Sequence, residues 1–291
     1  MVSSRKICVA LLLATALVAT SAVAAYAAGQ PPVNLGTSAS YAVYAQHEMY
    51  NTGTTHVTGD LGLGPTSHPM PTGLVVSGTT NYANPSNADA LAVLAAVRAA
   101  YADAIERSWD VTITADLGGQ TLLPGVYRDQ FADQGTIDLN GTLTLDAQGD
   151  PNAVWIFQSD YSLVTGANSR IVLANGARFC RVFWAVDAAN LGANSTFEGH
   201  IFARGGITAG QGAVVHGQLL SAQPVGMDGA VTLNSNTIDN TVCLPYTPRL
   251  PKTGYPPSES TGSPRLLVAG GLAALILLAA VAVRRPSGRS D

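Results

Sequence analysis

Between Gly135 and Ile238 the chain alternates short apolar bursts with Gly, Ala and Asn. The apolar positions recur with period two, which marks strands, and no burst is long enough to fold alone. Gly-Ala recurs at Gly166-Ala167, Gly192-Ala193, Gly212-Ala213 and Gly229-Ala230, spaced by 26, 20 and 17 residues. A closer internal match joins Phe197-Glu198-Gly199-His200-Ile201 to Val215-His216-Gly217-Gln218-Leu219, 18 residues further on. In that alignment Phe197, Gly199 and Ile201 share one side of a strand, with Val215, Gly217 and Leu219 as counterparts. Short strands repeated once per 17–26 residues predict a β-solenoid. A β-sandwich of short strands is the alternative, but it does not ask for Gly at equivalent inward positions, and a narrow stacked coil does.

The N-terminal half carries the remaining elements. Strands are expected at 41–45 and 56–59, before a corner marked by Gly59, Gly62 and Gly64. Asp60 reads as a turn former there. Residues 86–107 form the one helix of the body, capped by Ser86 or Asn87 after Asn84-Pro85. Its apolar stripe is Leu91, Leu94, Val97, Tyr101 and Ile105, with Ala on the other faces, and it is placed along one side of the solenoid. Val111-Thr112-Ile113-Thr114 alternates as a strand, Pro124-Gly125 turns, and DAQGDP (146–151) links strands at 142–145 and 153–157. Asp146 and Asp150 in that loop read as solvated turn carboxylates rather than a calcium site.

Composition and the chain ends set the address. Residues 1–27 form an export signal, with Arg5 and Lys6, an apolar run and Ala25-Tyr26-Ala27 before the cut. The body 28–253 holds nine Lys+Arg and seventeen Asp+Glu, an acidic exterior that argues against nucleic acid and anionic membrane. Cys8 leaves with the signal, so Cys180 and Cys243 remain as one pair in an oxidising space. Closing that interval is worth about 4 kcal/mol in the chain-entropy model. Leu250-Pro251-Lys252-Thr253-Gly254 resembles the LPxTG sorting signal. It sits in a Pro/Ser-rich linker (244–265), before an apolar stretch (266–283) long enough to span a bilayer and a basic tail (284–291). The resemblance implies that a sortase cuts between Thr253 and Gly254 and joins Thr253 to cell-wall peptidoglycan. Such a protein is secreted and covalently held to a Gram-positive-type wall, meeting the membrane only through the span before sorting.

Several pieces together carry a further resemblance: Leu35-Gly36-Thr37-Ser38-Ala39-Ser40-Tyr41-Ala42-Val43, Thr58-Gly59-Asp60-Leu61-Gly62, Leu122-Leu123-Pro124-Gly125-Val126-Tyr127, residues 141–158, 180–184 and the end through Cys243. Over residues 33–243 the chain resembles the bacterial and fungal ice-binding-protein-like domain. The resemblance implies a mainly β fold, a discontinuous right-handed parallel β-solenoid with one long helix alongside, over residues 28–243. It also implies ice or ordered water as the ligand, met by a flat Thr/Asn/Gly-rich face, with no cofactor and no metal. Some members of the family carry a loose T-A/G-x-T/N pattern on one face. Thr52-Gly53-Thr54-Thr55 and Thr165-Gly166-Ala167-Asn168 fit it here. Leu191-Gly192-Ala193-Asn194 and Thr208-Ala209-Gly210-Gln211 fit in part. The candidate contacts are therefore Thr52, Thr55, Thr165, Asn168, Asn194 and Thr208; the alternative is that these residues turn solenoid corners.

Parallel solenoids also include polysaccharide lyases and hydrolases, which need clustered or paired carboxylates. The outward candidates are Asp187, Glu198, His200, Arg204, His216 and Asp228. The alignment sets Glu198 beside His216, which reads as a cross-strand polar pair on a solvated face. No nucleophile elbow, zinc helix or phosphate loop is present. The chain is therefore read as non-enzymatic, with a surface adhesion or structural module binding a glycan or other ligand as the alternative to ice.

Overall fold

The strands of the computed structural model pair in parallel throughout the residues it describes, which are 29–64, 69–82, 88–114, 116–129, 135–222 and 229–241. Ser86, Asn87, Cys243, the signal 1–27, the motif 250–254, the apolar stretch 266–283 and the tail 284–291 lie outside them. Among the described residues no helix is long and apolar enough to cross a membrane.

The coils build three walls. The first stacks Val111–Ile113, Gly125–Asp129, Trp155–Gln158, Val182–Val186, the second halves of Thr196–Ala203 and Val214–Ser221, then Tyr41–Ala45, Asp60–Leu63 and Thr80–Tyr82. The second stacks Thr121–Leu122, Thr142–Asp146, Arg170–Ala174, the first halves of the same two long strands, Thr237–Asp239, Thr55–Thr58 and Leu74–Val76. The third is a separate six-stranded sheet of Ile137–Leu139, Ser162–Thr165, Ala188–Leu191, Ile207–Ala209, Val231–Asn234 and Met49–Thr52. Chain order is broken in all three, because the N-terminal strands stack on the last coils of the C-terminal block, Val43 opposite Leu219 and Met49 opposite Val231. This is the expected discontinuous solenoid.

The predicted internal repeat holds residue for residue: Phe197 pairs with Val215, Glu198 with His216, Gly199 with Gly217 and Ile201 with Leu219. The two glycines have a sharper purpose than a narrow interior. Thr196 pairs on the second wall and His200 on the first, so the strand turns a corner at Gly199. There Gly199 takes φ 115° and Gly217 φ 139°. A Cβ on Gly217 would lie 1.9 Å from the Gly199 carbonyl oxygen, so backbone conformation and crowding both exclude a side chain.

Inside the walls a ladder of aromatic rings follows the axis. Tyr127 stacks on Phe157 at 5.3 Å, Phe157 on Trp184 at 3.8 Å, and Trp184 meets Phe197 at 5.2 Å. Such contacts add about 0.5–1.5 kcal/mol each beyond the area they bury. The Trp184 indole N–H donates to the Glu198 carbonyl at 3.2 Å, so the buried ring keeps its polar edge satisfied. Cys180 is disulfide-bonded.

The helix, Ala88–Glu106, lies on the first wall. Its buried face is Ala90, Val93, Leu94, Val97, Ala100 and Ala104, packed with Phe183, Ala185, Phe202 and Leu220. This corrects the predicted stripe: Leu91 is 47 % exposed, and Tyr101 and Ile105 are only partly buried. The large aromatic side chains come from the sheet, and the helix meets them with Ala90, Ala100 and Ala104 beside Val93, Leu94 and Val97, so it lies close. Gln158, fully buried, caps its last turn by donating to the Ala104 and Arg107 carbonyls, both at 2.8 Å. We expect Ala100→Leu to overpack this seam and cost about 1–3 kcal/mol. Leu91→Ala should stay within about 0.5 kcal/mol. Chemical denaturation of the two variants checks this; equal costs would contradict the assignment of the buried face.

Candidate functional site

Of the three walls, the helix covers part of the first, and the second carries charge. Its outward positions include Arg170, Glu198, His216, Asp239 and His56, in register with Thr196, Thr58 and Thr237. His216 Nδ1 lies 2.7 Å from Glu198 Oε1, the predicted cross-strand pair. The bond to that carboxylate holds the imidazole above its ordinary pKa of 6.5, and the nearby Asp239 charge adds to the effect.

The third wall differs in kind. Ile137, Leu139, Leu163, Ala189, Leu191, Ile207, Ala209, Val231, Leu233 and Met49 point inward and are buried. Period two then sends the residues between them outward. The middle outward column runs Asp138, Val164, Asn190, Thr208, Thr232, Tyr50, each the register partner of the next. Ser162, Ala188, Gly206, Ala230 and Glu48 flank it on one side. Gly166, Gly192 and Gly210 flank it on the other, followed by Asn234 and Thr52 in register with each other. Four successive coils (162–166, 188–192, 206–210, 230–234) therefore present only Ser, Ala, Gly, Val, Asn and Thr outward, with no charge. Adjacent rows stand about 4.8 Å apart, the spacing of paired strands.

The glycine column is a close-packing device. A Cβ on Gly192 would lie 2.4 Å from the Gly166 carbonyl carbon, and one on Gly210 2.7 Å from the Leu191 oxygen. Next to it each coil turns through a left-handed residue: Asn168 (φ 59°), Asn194 (φ 55°), Gly212 (φ 68°), Ser235 (φ 51°) and Gly53 (φ 69°). Asn tolerates this conformation better than other residues with side chains.

The predicted contacts separate accordingly. Thr208 and Thr52 are exposed on the third wall, and Asn168 and Asn194 are exposed at its corner. Two are corrections. Thr165 is 4 % exposed, opposite Leu139, and its hydroxyl accepts the Gly192 N–H at 2.9 Å. Thr55 is fully buried, donating to Asn51 Oδ1 at 2.7 Å and accepting the Asn236 N–H at 3.1 Å. The reason is register: the T-A/G-x-T/N pattern equates Thr165 with Thr208, but the coils pair Thr208 with Asn190 and hence Val164. A one-residue slip moves a side chain to the opposite face. The signal missed in the sequence is a five-residue window, small-x-(Val/Asn/Thr)-x-(Gly/Asn), at 162–166, 188–192, 206–210 and 230–234.

Among the described residues, those weighed for catalysis fall into two separate pairs, Glu198–His216 and Asp187–Arg204, with His200 apart. His200 is 1 % exposed, stacked on Phe183 at 5.4 Å, and burial pushes its pKa down to about 4. Asp187 pairs with Arg204 at 3.1 Å on the border of the third wall, and Asp228 lies outside the described residues. Asp146 accepts the Gln148 N–H and the Asn175 amide, both at 2.8 Å, bonds that hold its pKa below the usual carboxylate value. A cavity of about 600 Å³ lies beside Gly59, Asp60, Cys180, His200 and Asn240. Asp60 accepts the Thr79 N–H at 2.7 Å, and Asn240 donates to the Ala39 and Tyr41 carbonyls.

A family model described as ice-binding-like matches residues 43–239. The ice-binding protein of Nostoc sp. (strain HG1) is 34% identical over 229 residues, covering 78% of this chain and 80% of that protein. The ice-binding protein K3-B1 of Typhula ishikariensis is 29% identical over 218 residues, 68% of this chain and 86% of that one. The crystal structure of the ice-binding protein of the Antarctic ascomycete Antarctomyces psychrotrophicus matches with a TM-score of 0.64 at 35% identity, over 73% of this chain and 100% of that one.

The Glu198–His216 bond sets a measurable titration. By NMR the His216 ring of the intact protein should titrate above 6.5, and Glu198→Gln should bring it down. Because the folded value is raised, the stability the pair adds is complete below about 6.5 and is lost as pH climbs through the folded pKa. A wild-type midpoint at or below 6.5 would contradict the pairing.

Proposed function

The chain belongs to the ice-binding-like family, and from that premise we propose that it adsorbs to ice through the six-stranded third wall. The observation that supports this is the run of four coils whose outward positions are all small and uncharged. A charged group imposes its own hydration on nearby water. Methyls, hydroxyls and amides in a regular grid leave first-layer water free to take up lattice positions. Each such contact is weak, so adsorption needs many of them held in place before the crystal arrives. The helix covers part of the first wall and the second carries charge, so neither offers such an uncharged grid over a comparable area.

Thr208 sits in the middle of the grid. Thr208→Tyr should strip most ice-shaping and recrystallisation-inhibiting activity while leaving the melting temperature unchanged. If the wild-type protein neither reshapes growing ice nor slows recrystallisation, ice is not its ligand.

We propose further that the protein is exported through residues 1–27 and joined to cell-wall peptidoglycan at Thr253 by a sortase. Leu250-Pro251-Lys252-Thr253-Gly254, the polar spacer, the apolar stretch 266–283 and the arginines behind it support this reading. The ten residues 244–253 reach at most about 35 Å when extended, so the ice-adsorbing wall stays near the cell surface. In the native host the protein should leave the wall only after muramidase digestion. Replacing Leu250 and Pro251 together with Ala should move it to the membrane fraction or the medium; unchanged wall retention would remove the sorting motif from the account.

A further inference from the structure

The uncharged grid stops short of the sheet that carries it. Its middle column ends in Asp138 at one edge strand and Tyr50 at the other. Tyr50 is 53 % exposed, where its register neighbour Thr232 is only partly so. Its hydroxyl donates to the carboxylate of Glu48, two residues earlier on the same side of the strand. The Glu48 carbonyl accepts the Val231 N–H at 2.9 Å, which brings this coil into line with the grid. Thr52, exposed and paired with Asn234, continues the grid's outer row onto the same coil. The backbone of the N-terminal coil is thus in register, and one of its outward side chains suits the grid. The other two do not.

Resting on the proposal that ice meets this wall, we infer that Tyr50 and Glu48 set the length of the ice-contacting area and hold this protein's activity below what its backbone allows. The exposed phenol ring of Tyr50, directed toward Glu48, puts a bulky group at the edge of a surface otherwise made of short side chains. A crystal plane lying on Thr208 and Thr232 must stop at that group or tilt away from it. The Glu48 carboxylate that accepts the Tyr50 hydroxyl sets a formal charge at the end of a surface that is otherwise uncharged. Removing both extends the grid from four coils to five. The rigidity needed is already present, because the strand Met49–Thr52 is paired along its whole length with Val231–Asn234.

The test compares the full chain with the Tyr50→Thr/Glu48→Ala double variant at equal concentration, reading thermal hysteresis and recrystallisation inhibition, with melting temperatures in parallel. The double variant should gain about two-fold in hysteresis, the size of change one added weak contact makes to an adsorption constant. Glu48→Gln removes the charge at nearly constant volume, and should give a smaller gain even if the double variant is unstable. A wild-type level or less in both, with Thr208→Tyr still abolishing activity, overturns this inference and leaves the ice-binding wall in place. If Thr208→Tyr also changes nothing, the wall itself is wrong and both readings fall.

Discussion

Everything on the surface of this protein depends on the register between one coil and the next. In a parallel stack with a two-residue side-chain period, a slip of one residue exchanges inside for outside along a whole strand. The aromatic ladder prevents that slip. Phe157 lies flat on Trp184 at 3.8 Å, and Trp184 meets Phe197 in the next coil at 5.2 Å. Moving one strand by a residue would put an indole in water and open a cavity, a cost of about 3–5 kcal/mol for one large aromatic alone. The outward grid is therefore a consequence of inward packing, since Asn190 and Thr208 stand side by side because Ala189 and Ile207 are aligned beneath them.

The same constraint decides what the sequence could and could not reveal. The Gly199–Gly217 match was legible because two long strands turn the same corner without insertions, so the 18-residue offset survives in the fold. The helix was legible as an element, but its buried face was not. Periodicity ranks Leu91 above Ala100, and only the close approach to Phe183 and Phe202 makes the alanines the contact. The outward position in this coil was missed by one residue at Thr165, which is buried, because a pattern of Thr, Gly and Asn marks the corner rather than the wall. Corner residues are chemically conspicuous through left-handed backbone and buried hydrogen bonds. Wall residues are small and plain, and such residues leave little trace in composition.

The three walls also divide the polar chemistry among them. Charges concentrate on the second wall, where Glu198, His216 and Asp239 are successive register partners, and on the border of the third, where Asp187 holds Arg204. Solubility is served there without placing a charge among the four central coils. The first wall puts its apolar outer surface under the helix and satisfies the helix end with a buried Gln158. Each surface is consistent with one use, and only the third combines regular spacing with electrical neutrality.

The two buried threonines help hold the third wall in place. Thr165 accepts the Gly192 amide from within, Thr55 ties Asn51 to Asn236, and the Asn236 side chain donates to the Gly210 carbonyl at 2.7 Å. These bonds join the edge of the wall to the turns beside it, in the coils that carry Asn190, Thr208 and Asn234. They also satisfy backbone groups that would be costly to bury alone. Ordering the wall is thus settled during folding, and none of that entropy has to be met when a surface of ice, offering only weak contacts, comes against it. A flexible loop carrying the same outward side chains would lack this advantage, which is why the buried threonines bear on the proposed adsorption.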